Sequence, residues 1–126
     1  MATISPSFQS VLETDVTRLD IGPLPSLDDF ARDGFLNLGN HDNTFRFDTS
    51  TDLKVNAQGG DDDIRLFGTG DDTVFAGSGD DYVNSGDGND TVFGGAGHDN
   101  IVSLGGDDTL DGGAGNDYVV GGSGHD

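Results

Sequence analysis

Seven aspartates recur every nine residues, at Asp72, Asp81, Asp90, Asp99, Asp108, Asp117 and Asp126. Carboxylates at a fixed interval can stay solvated and repel one another, or they can share hard cations. The residues in phase with them decide which. A glycine stands two residues before each aspartate (Gly70, Gly79, Gly88, Gly97, Gly106, Gly115 and Gly124). An aliphatic stands two residues after each of the first six (Val74, Val83, Val92, Ile101, Leu110 and Val119). A random acidic linker does not hold three residue types in register. The unit couples a tight turn carrying a carboxylate to a short strand carrying one inward side chain, the mark of stacked repeats.

The turn chemistry points to a metal. Further glycines at Gly68, Gly77, Gly86, Gly95 and Gly113 lie two residues ahead of a glycine in the first set. Glycine tolerates positive φ and lets successive carbonyl oxygens face one cavity. An 18-residue echo (Thr73, Thr91 and Thr109; Phe75 and Phe93) predicts two strands per coil, with alternate units on opposite sheets. Stacking then sets Asp72 by Asp90, Asp81 by Asp99, Asp90 by Asp108, Asp99 by Asp117, and Asp108 by Asp126. Two carboxylates ~5 Å apart repel by about 1 kcal/mol in water and several-fold more at lower effective dielectric. No lysine or arginine follows Arg65, so a bound cation must offset this charge. Carboxylate plus carbonyl oxygens suit Ca²⁺, whereas Mg²⁺ retains its waters and softer metals want nitrogen or sulfur. Pairing alternate turns gives about five interior ions or more.

The elements that position these groups follow from the same spacing. One inward face is Val74, Val92 and Leu110, the other Val83, Ile101 and Val119, with neighbouring coils ~4.8 Å apart. Phe75 and Phe93 point outward on one sheet, Tyr82 and Tyr118 on the other. Residues 67–126 form the strict repeat, whose last unit stops before its strand, so repeats are expected to continue beyond Asp126. Residues 35–66 read as a degenerate leading segment of short strands that caps the roll, at 35–38, 45–47, 53–55 and 64–66. Within it Gly60, Asp62 and Ile64 take the places of one unit, which makes Asp62 a further candidate ligand. Asp62 and Asp72 are ten residues apart, so one residue is inserted there. Residues 1–34 carry no repeat, and Ser26 caps a short helix expected over 27–33.

Composition narrows the function. The formal net charge is −19, and every acid but Glu13 is aspartate. Aspartate favours turns and hard-cation ligation over helix, and such a charge repels nucleic acid and anionic lipid. There is no cysteine, and no apolar run long enough to span a membrane. The N-terminus lacks the basic and apolar regions of a cleavable signal. His98 and His125 fall beside Asp99 and Asp126 at a variable turn position and read as exposed loop residues. Leu104 replaces a turn glycine, which is expected to strain that turn. No HExxH or GxSxG motif is present, so the chain reads as a binding module and not an enzyme.

These residues resemble the RTX (repeats-in-toxin) nonapeptide GGxGxDxUx of hemolysin-type calcium-binding proteins. The cleanest units are GGAGHDNIV at 94–102 and GGAGNDYVV at 112–120. The resemblance implies an all-β, right-handed parallel β-roll with Ca²⁺ held between coils by the sixth-position aspartates and turn carbonyls. It implies bacterial export by type I secretion and an extracellular location, with folding driven by external calcium. A chain with the calcium-binding role alone is one reading; the calcium-binding portion of a larger exported enzyme or toxin is the alternative.

Overall fold

The computed structural model describes residues 35–48 and 50–126. The helix expected over 27–33 lies outside them. Ten strands follow one another with no helix between: β1 (Leu36–Asn37), β2 (Thr44–Asp48), β3 (Lys54–Asn56), β4 (Asp63–Phe67) and β5 (Thr73–Ser78), then β6 (Tyr82–Asp87), β7 (Thr91–Ala96), β8 (Asn100–Gly105), β9 (Thr109–Ala114) and β10 (Tyr118–Val120). Odd strands build one sheet in the order β1-β3-β5-β7-β9, and even strands the other, β2-β4-β6-β8-β10. Every pairing is parallel. The molecule is a parallel β-roll of about five coils, two strands to a coil.

Register follows from which side chains must be buried, since a one-residue slip would turn every apolar residue outward. Leu36, Val55, Val74, Val92 and Leu110 align down one sheet. Phe45, Ile64, Val83, Ile101 and Val119 align down the other. All are buried except Leu110, which is half-buried, and Val119, which is 43% exposed on the last strand. The strict repeat pairs at 18 residues, as in Val74 with Val92, but the leading coils pair at 19, as in Phe45 with Ile64. Thus β1–β4 continue the same two sheets, with the longer coils absorbed in their turns.

A second inward column lies two residues further along each strand. On one sheet it runs Leu38, Ala57, Ala76 and Gly94, all buried. On the other it runs Phe47, Leu66, Ser85 and Ser103, also buried. Hydrocarbon therefore fills the leading coils, while small residues leave room beside the turns in the later ones. On the outer faces, Phe75 stacks on Phe93 with ring centres 5.0 Å apart, and Phe35 meets Phe75 at 5.6 Å. Arg65 lies over the Tyr82 ring at 4.7 Å and pairs with Asp63, which Arg46 also contacts.

Candidate metal centre

The sixth-position aspartates stack into two columns, one along each edge of the roll. Asp62, Asp81, Asp99 and Asp117 form one, and Asp72, Asp90, Asp108 and Asp126 the other. Each Oδ1 accepts a hydrogen bond from the backbone N–H of the residue one coil earlier. Asp62 N–H donates to Asp81 at 2.8 Å, Asp72 to Asp90 at 2.8 Å, Asp81 to Asp99 at 3.0 Å and Asp90 to Asp108 at 2.9 Å. The last link, from Asp108 to Asp126, is 3.3 Å. This ladder fixes where the carboxylates point.

The other oxygen is the informative one. Oδ2 of Asp62, Asp81, Asp90, Asp99 and Asp108 is buried and has no hydrogen-bond partner. An unmet buried polar atom costs about 1–3 kcal/mol, and more when charged. Burial drives the carboxyl pKa of Asp72 and of Asp81 from 3.8 up to about 7. Their backbone hydrogen bonds pull the other way, while the neighbouring carboxylates (Asp90 for Asp72; Asp62 and Asp99 for Asp81) add to the rise. Asp62 is pushed to about 6 by burial, and Asp90 and Asp99 are raised for the same first reason.

The glycines bring carbonyls to the same edges. Gly97 sits at φ 142° with its Cα against the carbonyl oxygen of Gly79 one coil earlier, where a Cβ would collide. Gly95, at φ 111°, meets the Gly77 carbonyl in the same way. Those strained, close approaches are what only glycine permits. Gly70 differs from the other fourth-position glycines in lacking positive φ, yet it too lies against a carbonyl, that of Thr51. Leu104 also lacks positive φ. A register shift where Gly86 pairs with Ser103 and Asp87 with Gly105 takes up the substitution, and Leu104 turns outward, 50% exposed.

The leading coil shows what the cradle accepts. Asn43 stands at the aspartate place before Asp62, and its N–H donates to Asp62 Oδ1 at 2.8 Å. Its side-chain amide donates to Asp62 Oδ1 at 3.1 Å and to the carbonyls of Gly39 and His41. Those carbonyls occupy the second and fourth turn positions. An electropositive NH₂ is thus surrounded by oxygens of the types that the spacing assigned to the metal. In later coils aspartate replaces Asn43 and brings no proton. Among the described residues no three histidine, cysteine or acidic side chains converge on one point, so backbone oxygens must complete any shell.

One signal was not read from the sequence. The fifth turn position, taken as variable, forms a second, exposed ladder running the opposite way. Asp61 accepts from the N–H of Asp80, Asp80 from that of His98, and His98 Nδ1 from that of Asn116. On the other edge Asp71 accepts from Asn89, Asn89 from Asp107, and Asp107 from His125. Asp, Asn and His share an acceptor on the atom two bonds beyond Cβ. The position varies in name but is restricted in chemistry.

Stacked carboxylates over inward carbonyls, in a parallel roll with no cation of its own along the repeat, define a calcium-binding solenoid. Residues 68–101 and 93–126 each match the family model described as RTX calcium-binding nonapeptide repeat (4 copies). Over its repeat segment the chain matches the RTX hemolysin-type family, whose repeat is a calcium-binding module without catalytic machinery. No curated protein and no solved structure matches it.

Proposed function

We propose that the chain is a Ca²⁺-binding β-roll module that folds as the ions bind after export, in a secreted structural or secretion-assisting role. The observation that carries this is the row of buried, unpartnered Oδ2 atoms at Asp62, Asp81, Asp90, Asp99 and Asp108. Carboxylates at Asp62, Asp72, Asp81, Asp90, Asp99, Asp108, Asp117 and Asp126 would hold the ions with carbonyls of Gly68, Gly70, Gly77, Gly79, Gly86, Gly88, Gly95, Gly97, Gly106, Gly113 and Gly115. The ion supplies the positive charge that the repeat lacks. Binding and folding free energy are then one quantity. About five interior ions, each with the modest affinity of an extracellular module (~10⁻⁴–10⁻³ M), fit the design. Type I secretion, the route of repeats of this kind, would export the chain before calcium reaches it.

The test is titration calorimetry with Ca²⁺ and Mg²⁺ alongside circular dichroism with and without chelator. Several calcium ions, weak magnesium binding and, at neutral pH, β structure over residues 67–126 that appears only with calcium are expected. Saturation at one ion or none would overturn the reading.

A further inference from the structure

At Gly94, Gly112 and Gly121 the first position of the repeat unit faces the carboxylate of its own unit. A Cβ built on Gly94 would run into Asp99 Oδ2, one on Gly112 into Asp117 Oδ2, and one on Gly121 into Asp126 Oδ2. Ser85 and Ser103 stand at this position ahead of Asp90 and Asp108. Both serines are 1% exposed. Ser85 Oγ has no aligned hydrogen-bond partner, and neither has Asp90 Oδ2. Ser85 stands ahead of Asp90 in the place from which Gly94 faces Asp99 Oδ2. Ser103 differs, because its Oγ donates to the Gly86 carbonyl at 3.4 Å. Along the other edge the same position holds Ala57, Ala76, Gly94 and Gly112, none with a hydroxyl. The two edges of the roll are chemically unequal.

We propose that Ser85 Oγ is an additional ligand for the cation held at Asp90, making this site the tighter and drier of the series. The proposal rests on the calcium reading above. A hydroxyl offers two lone pairs and no charge, so it completes the shell without adding repulsion to the aspartate column. Ca²⁺ takes six to eight oxygens in flexible geometry, whereas Mg²⁺ demands a small octahedron and keeps its waters. A protein oxygen in place of one water therefore favours calcium over magnesium at this coil. Two buried oxygens that lack partners in the ion-free roll gain one together.

The experiment compares the full chain with Ser85→Ala, Ser85→Gly and Ser103→Ala variants. Calcium calorimetry gives affinities, and terbium luminescence lifetimes in H₂O and D₂O count the waters on each ion. Glycine at 85 restores the residue found at Gly94 and Gly112, so the calcium-loaded fold is retained, as circular dichroism will check. Both Ser85 variants are expected to weaken one site about tenfold and to add about one water there. Ser103→Ala should change neither. Normal binding by the wild type with unchanged affinity and hydration in both Ser85 variants would overturn the proposal. So would a loss confined to Ser85→Gly, which removes Cβ along with Oγ and so marks packing. A wild type that takes up no calcium would instead overturn the calcium reading itself.

Discussion

Asn43 donates its backbone N–H and its side-chain amide to the same oxygen of Asp62, at 2.8 and 3.1 Å. Every later rung of that edge has an aspartate in the place of Asn43, keeps the backbone bond and lacks the amide. Asn43→Asp should therefore convert a turn held by its own amide into another ion-dependent one. Calorimetry should count one more calcium ion than in the wild type. With chelator the variant should be less stable by about 1–3 kcal/mol, the cost of the stranded oxygens. An unchanged ion count would show that the leading turn cannot close around a cation.

Acid should mimic calcium in part. Asp62, Asp72 and Asp81 have folded pKa values of about 6, 7 and 7, above the unfolded 3.8. Such groups favour the ion-free roll fully below the unfolded value, and the contribution is lost as pH rises through the folded values. With chelator present, β structure should thus increase as pH falls from about 8 to about 5. With calcium present the same protons compete with the ion, so affinity should fall over that range. Circular dichroism against pH, with and without calcium, separates the two trends; a chelated chain that loses structure on acidification would contradict the burial of these groups.

Gln58 occupies a second-glycine place at φ 73°, the one non-glycine positive φ among the described residues. A side chain in that region costs about 1–2 kcal/mol, partly balanced by the extra freedom glycine has when unfolded. Gln58→Gly should raise stability by about 0.5–1 kcal/mol, read as a higher denaturation midpoint at saturating calcium. A lower midpoint would mean that the Gln58 side chain makes up for its backbone.

The outer ladder predicts which residues the fifth position accepts. His98 takes the Asn116 N–H on Nδ1, so the tautomer must carry its proton on Nε2. His98→Asn keeps the acceptor and should be nearly neutral. His98→Leu removes it at an exposed rung and should cost about 0.5–1 kcal/mol. Nitrogen-15 chemical shifts of the ring would report the tautomer directly, and a protonated Nδ1 would contradict the ladder.

Most of the roll could be read from Val74, Val83 and their successors, because an inward aliphatic at fixed phase leaves one register. The echo of Thr73 in Thr91 and Thr109 gave the two-sheet arrangement, and Val74 pairs with Val92 as that echo requires. The pairing of Asp90 with Asp72 and Asp108 likewise followed from period alone. Other features were hidden because they depend on atoms and not on residue names. His98 and Asp80 look unlike until an acceptor two bonds beyond Cβ is seen to be their shared property. Ser85 carried no signal of its own, since nothing in the spacing says that the first position points inward. Asn43 escaped notice because the leading coils run at 19 residues and fall out of phase with the strict count.

The interior changes from Phe47 and Leu66 to Ser85 and Ser103 along one sheet. A solenoid graded in this way would have a direction of assembly. Its greasy beginning can nucleate unaided, whereas each subsequent layer waits for mineral, so growth would zip from Phe45 toward Val119. Hydrogen exchange at limiting calcium should find amides slowest near Phe45 and progressively faster along the chain.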